Sequence, residues 1–204
     1  MSTSTNRAQA ANGPRLDPRT PLVLDTRELP RRAGSMRRLQ RTVSAPERLG
    51  LELLHVPERS DVVLDLRLEA VVEGVLVSGT AAMQLTGECG RCLDPVSDSL
   101  VVDLQQLYAY GDSEVPEDEE TGRLSGDLLD LEPALRDAVV LALPLTPLCD
   151  ADCGGLCADC GERLDDLPED HGHSTADPRW AALAALQSAS ETDPDSEESP
   201  RGRP

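Results

Sequence analysis

Leu64-Asp65-Leu66-Arg67-Leu68-Glu69-Ala70 decides the fold, because apolar and charged residues alternate through it without a break. A period of two puts the four apolar side chains on one side of a strand and the three charged ones on the other, which is the pattern of a half-buried strand. Working outward, Glu73-Gly74 predicts a turn. Val75, Val77, Ala81, Met83 and Leu85 then continue the alternation on a second strand, with Ser78, Thr80, Gln84 and Thr86 opposite. Val96 to Tyr110 reads as a third strand, and Pro21 to Asp25 as a short one. Hairpin-length connections between such strands argue for an antiparallel sheet with one solvated face. Ser35-Met-Arg-Arg-Leu-Gln-Arg41 is expected to form one or two helical turns.

The expected fold class is α+β: an antiparallel sheet or partly open barrel, a few helices, and a cysteine-rich, zinc-knuckle-like loop near the C-terminal end. One domain is expected over residues 20–187, between a disordered tail at 1–19 and an acidic, Ser-rich tail at 188–204. Within it, 20–110 is mainly β, 111–126 is an acidic loop and 127–144 a helix. Leu131, Leu135, Ala138, Val139 and Ala142 recur there at helical spacing; Pro133 is tolerated in the first turn, and Pro144 and Pro147 stop the helix. Residues 149–173 form a Cys/His metal loop. Residues 177–187 are expected to form a last helix, with Asp177 as N-cap and Pro178 at its first position.

Composition removes several function classes. The sequence contains no apolar run long enough for a membrane span, and Met1 to Thr20 lacks the apolar core of a secretory signal, so a cytoplasmic protein is expected. Every basic side chain apart from three His is Arg, a preference attributed to codon bias. Tyr108, Tyr110 and Trp180 are the only aromatics, too few for a base-stacking platform. Charge is uneven: residues 1–50 carry ten Arg against four acids, whereas 101–204 carry 25 acids against six Arg. Such asymmetry points to a basic face at one end and a region seeking basic partners at the other.

The six cysteines fall into two groups. Cys149, Cys153, Cys157 and Cys160 read C-x3-C-x3-C-x2-C and are followed by His171-Gly-His173, while Cys89 and Cys92 form a separate C-x2-C. Short spacings aim several thiolates at one point, which suits tetrahedral zinc, and a reducing compartment disfavours disulfides. Gly154, Gly155 and Gly161 leave room for backbone N–H groups to point at the sulfurs, whereas Asp150, Asp152 and Asp159 disfavour thiolates until a cation arrives. The simplest ligand set is Cys149, Cys153, Cys157 and Cys160. Alternatives pair Cys89 and Cys92 with Cys157 and Cys160, or let His171 and His173 replace one or two thiols. No H-E-x-x-H, deaminase-type pairing, phosphate-cradling loop or nucleophile elbow is present, so a structural zinc and no enzyme activity are expected.

Arg27, Arg31, Arg32, Arg37, Arg38 and Arg41 form a basic segment with no acid between Glu28 and Glu47. Guanidinium forks match phosphate oxygens, so these six are the candidate RNA contacts. A solvated charged face is the plainer reading of the same residues.

Several of these pieces occur in an order that resembles a known family. Val23-Leu-Asp-Thr-Arg27 and Arg31-Arg-Ala-Gly-Ser-Met-Arg-Arg38 look like its N-terminal block, and Gly87-Glu-Cys-Gly-Arg-Cys-Leu93 with Pro95 like its C-x-R-C-L signature. Leu141-Ala-Leu-Pro144, the thiols from Cys149 to Cys160, and Asp177-Pro178-Arg179-Trp180 follow in the same order. Over about residues 20–188 the chain resembles the YceD family, in its actinobacterial form. The resemblance implies a cytoplasmic factor supporting 23S rRNA accumulation and large-subunit ribosome biogenesis, with rRNA, its precursor or a large-subunit ribosomal protein as partner. It also raises the weight on His171 and His173 as ligands, because many relatives carry C-x-C there. Other relatives lack much of the thiol cluster, which implies a metal that staples the loop. Two rival readings are a protein adaptor, holding a basic ribosomal protein through the acidic half (Asp112 to Glu120 above all), and a thiol redox sensor.

Overall fold

The computed structural model describes residues 16–113 and 121–173. The expected 177–187 helix, residues 1–15 of the expected 1–19 tail, the expected 188–204 tail and residues 114–120 of the acidic loop lie outside the described residues. The chain divides into two compact units, Met1–Gly155 and Leu156–Pro204.

The first unit contains β1 (Val23–Asp25), β2 (Met36–Ser44), β3 (Leu49–Gly50), β4 (Leu54–Val56), β5 (Asp61–Ala70), β6 (Gly74–Glu88), β7 (Pro95–Ala109), β8 (Thr121–Arg123), β9 (Leu128–Asp130) and the helix α1 (Glu132–Ala142). Strand β6 organises the sheet. One edge pairs with β5 from Val75 to Met83 and with β4 at Thr86 and Gly87; the other pairs with β7 along its whole length. The remaining neighbours are β2 beside β5, β3 beside β4, and a short parallel β8 beside β7. The sheet is open rather than a closed barrel, since β2 and β8 each pair on one side only. Strands β1 and β9 form a separate antiparallel ribbon.

Burial follows the alternation. Val62, Leu64, Leu66, Leu68 and Ala70 of β5 are buried together with Val75, Val77, Ala81, Met83 and Leu85 of β6. Leu24 and Leu129 from the β1–β9 ribbon, Leu135 and Val139 from α1, and Leu22 and Leu131, which directly precede β1 and α1, join this core. Gly79 lies in the middle of β6 at φ +149°, where a Cβ would sit 2.1 Å from the Asp65 carbonyl oxygen, so the close approach of β5 requires glycine. Helix α1 starts at Glu132, whose N–H is capped by the Asp130 carboxylate at 3.0 Å, with Pro133 tolerated in the first turn. It is the one α-helix among the described residues.

Two local expectations are corrected. Ser35 to Arg41 is not helical: Met36–Ser44 is a strand whose nine residues all pair with β5. Leu39 and Val43 share its half-buried face with Arg37 and Arg41, so a period of two outcompetes the i, i+3 and i+4 spacing of the arginines. At the start of the 127–144 segment, Leu128–Asp130 is a strand paired with β1, and the helix occupies only Glu132–Ala142.

If this one-sided burial holds the sheet, Leu66→Ala (1% exposed) should destabilise the protein by about 2–5 kcal/mol. Val63→Ala, on the opposite face at 51% exposure, should cost under about 1 kcal/mol. Urea unfolding of the two variants measures the contrast.

Candidate metal centres

The β6–β7 hairpin turns through Cys89-Gly-Arg-Cys92-Leu93-Asp94. The Cys89 N–H donates to the Asp94 carbonyl at 2.8 Å and the Leu93 N–H to the Cys89 carbonyl at 3.0 Å. Leu93 sits at φ +64°, a left-handed conformation that costs a non-glycine residue on the order of 1 kcal/mol. The turn therefore carries both cysteines on one tight, hydrogen-bonded loop.

The segment after α1 meets this tip. Gly90 N–H donates to the Pro147 carbonyl at 2.7 Å, and the Arg91 Nη1 donates to the Cys153 carbonyl at 2.8 Å. Gly90 faces Thr146, whose Cγ2 would lie 2.8 Å from an added Cβ. These contacts bring Cys149 and Cys153 to Cys89 and Cys92. The Cys89 and Cys153 sulfurs are 3.8 Å apart, and those of Cys92 and Cys149 3.5 Å. All are free thiols. A tetrahedron of zinc–sulfur bonds has edges of about 3.8 Å, whereas a disulfide brings its sulfurs to about 2.05 Å. The geometry suits a shared cation. Cys89, Cys92 and Cys153 are buried and Cys149 is exposed.

Electrostatics point the same way. The Cys89 thiol is pulled down to about 6, first by the Cys92 backbone N–H, with burial opposing and the N–H groups of Arg91 and Cys149 assisting. Cys92 is pushed up to about 12: the Asp94 N–H favours its thiolate, but burial and sharing with Cys149, Cys89 and Cys153 outweigh that. Sulfurs this close cannot all carry charge unless a cation is present.

The second unit holds a different donor set. Leu156 and Arg163 form an antiparallel bridge around Cys157-Ala-Asp-Cys160-Gly161. The Cys157 N–H donates to the Glu162 carbonyl and the Gly161 N–H to the Cys157 carbonyl, both at 2.8 Å, with Gly161 at φ +75°. A 3-10 turn, Leu164–Asp166, precedes His171 and His173. The Cys160 sulfur lies 3.6 Å from His171 Nε2, which is 3.0 Å from His173 Nε2. The Cys157 thiol is lowered to about 6, chiefly by the Cys160 backbone N–H, then by those of Asp159 and by His171.

Two groups are thus capable of holding a metal ion: Cys89, Cys92, Cys149 and Cys153, and Cys157, Cys160, His171 and His173, each with its donor atoms within 4.8 Å of one another. The four C-terminal thiols taken together as the simplest set are divided between them, and Cys89 and Cys92 gather with Cys149 and Cys153 rather than with Cys157 and Cys160.

The six arginines are also dispersed. Arg37 and Arg41 occupy one face of β2 and Arg38 the other. Arg27, Arg37 and Arg41 line a groove of about 400 Å³ together with Asp25, Glu28 and Leu39. Arg37 pairs with Glu28 at 2.7 Å, and Arg27 reaches Asp25 and Asp127 at 3.7 and 3.9 Å. Arg41 Nη2 donates to the Pro21 carbonyl, while its buried Nε finds no hydrogen-bond acceptor among the described residues. Arg31 stacks on Tyr110 with its guanidinium carbon 4.9 Å from the ring centroid and pairs with Asp127 at 3.2 Å. Arg32 is exposed.

The fold and site define an open antiparallel-sheet protein with cysteine-rich groups fit for metal binding. The family model described as Large ribosomal RNA subunit accumulation protein YceD matches residues 77–187, and the chain belongs to the YceD family. The chain is 46% identical over 170 residues to an uncharacterized protein of Mycobacterium tuberculosis, covering 82% of each chain. It is 41% identical over 170 residues to one of Mycobacterium leprae, covering 82% of this chain and 78% of that one. No solved structure matches it. Among the described residues, no helix is long and apolar enough to cross a membrane.

In the metal-free, reduced protein, ultraviolet thiolate absorbance should rise as pH passes through about 6, well below the ordinary thiol range, and Cys89→Ser should lose that step. Because the folded-state value of Cys89 is depressed, the stability its thiolate contributes is complete above the ordinary thiol range and is lost as pH falls through about 6.

Proposed function

We propose that this protein is a non-enzymatic RNA-binding factor that supports accumulation of 23S rRNA and biogenesis of the large ribosomal subunit, and that zinc held by Cys89, Cys92, Cys149 and Cys153 stabilises its shape. Family membership supports the process. The observation that carries direct RNA contact is the groove in which Arg27, Arg37 and Arg41 converge. The guanidinium forks that line it match the geometry of phosphate oxygens. Zinc in the four-cysteine group would join the hairpin tip to the segment after α1. Four protein thiolates leave no open coordination position, which fits a structural ion and not a catalytic one.

RNA held mainly through phosphates should be recognised with weak sequence preference and strong salt dependence. Arg27 and Arg37 are partly exposed and their ion pairs are of the surface kind, worth about 0–1 kcal/mol, so reversing them should leave the fold intact. Arg27→Glu/Arg37→Glu should weaken binding to a 23S rRNA transcript by about tenfold or more and lower the logarithmic salt slope by about two. Arg38→Glu, one residue on but across the strand, should change affinity by less than about twofold. Filter binding at several salt concentrations reads both effects. Unchanged affinity in the double variant, or nuclease-resistant capture of a basic ribosomal protein as the sole interaction, would remove direct RNA contact from the account.

A further inference from the structure

Among the described residues of 156–173, none is buried. A segment with no apolar core has to be ordered by something else, since fixing each residue's backbone costs about 1–2 kcal/mol of conformational entropy. Backbone hydrogen bonds at the Cys157–Gly161 loop and the Leu156–Arg163 bridge are solvent-facing and net only about 1 kcal/mol each. What the segment does contain is a convergent set of four soft and borderline donors, two sulfurs and two imidazole nitrogens.

The distances are those of a coordination sphere. With zinc–sulfur bonds near 2.3 Å and zinc–nitrogen bonds near 2.05 Å, a tetrahedral site has a sulfur–nitrogen edge of about 3.6 Å. Cys160 Sγ and His171 Nε2 are separated by 3.6 Å. The two histidine rings meet edge to face at 84°, which lets both Nε2 atoms, 3.0 Å apart, point at one centre. With both rings neutral and unprotonated at Nε2, each offers a lone pair to one cation. Two thiolates and two neutral imidazoles also cancel the charge of a divalent ion completely, whereas four thiolates leave an excess of two negative charges.

We propose that Cys157, Cys160, His171 and His173 form a second zinc site, independent of the four-cysteine group, that the fold of residues 156–173 depends on its ion, and that this ion exchanges first. The difference in exchange follows from exposure. Cys160 and His173 are exposed and Cys157 and His171 only half-buried, whereas three sulfurs of the other group are buried. A chelator reaches the first kind of site without unfolding anything else. The proposal does not depend on RNA binding.

The test uses the full-length chain, purified without a histidine tag. Metal analysis with native mass spectrometry should find two zinc ions per chain. A chromophoric chelator should remove them in two phases of equal amplitude, the faster by at least about tenfold. His171→Ala/His173→Ala should retain one ion and only the slow phase, and should become susceptible to proteolysis between residues 156 and 173. Stepwise cobalt substitution of the unaltered protein gives a check that needs no variant: one ion should show the spectrum of a two-thiolate site and the other that of a four-thiolate site. One zinc per chain, a single release phase, or two ions retained in the histidine variant would each overturn the proposal.

Discussion

Fifteen residues of β6 pair without interruption with fifteen of β7, and this hairpin is the constraint on which the rest of the first unit depends. Its register fixes the turn at Cys89–Asp94, and its burial pattern fixes which face of the sheet receives α1 and the β1–β9 ribbon. With the tip rigid, two backbone-directed contacts, Gly90 to Pro147 and Arg91 to Cys153, suffice to bring thiols more than fifty residues away to the same point. The four-cysteine group is therefore a property of the sheet. It does not arise from a local loop closing on itself.

The two donor sets differ in what surrounds them, and the chemistry follows from that. The first is embedded in a unit that has an extensive apolar core, so a cation there would add a clasp to structure that hydrophobic burial already supports. The second lies in a segment with no buried residue among those described, where ligand binding and local folding would become one equilibrium. In the proposed role the sulfurs hold shape, which accords with a family described by rRNA accumulation.

The sheet was legible in the sequence because β5 and β6 obey a period of two over long runs, with Leu64, Leu66 and Leu68 facing one way and Asp65, Arg67 and Glu69 the other. Strand β2 was not legible, since Arg37, Arg38 and Arg41 mimic helical spacing and only pairing with β5 reveals that Leu39 and Val43 define the buried side. Strand β9 is three residues long, too short for any periodicity to register. For the candidate metal sites, the cysteine and histidine groups were legible, but which of them the fold brings together was not. Spacing reports which thiols share a loop; which loops meet is decided by contacts such as Gly90 to Pro147 that no local pattern encodes. The same rule scatters the arginines, because adjacent residues of a strand face opposite ways, so Arg37 looks into the groove while Arg38 looks out.

Cadmium-113 NMR of the cadmium-substituted, full-length protein tests the central claim most directly, because scalar coupling from the metal to cysteine β-protons names the ligands one by one. The account predicts a resonance coupled to Cys89, Cys92, Cys149 and Cys153 and to no other cysteine. A resonance coupled to Cys149, Cys153, Cys157 and Cys160 together would contradict it.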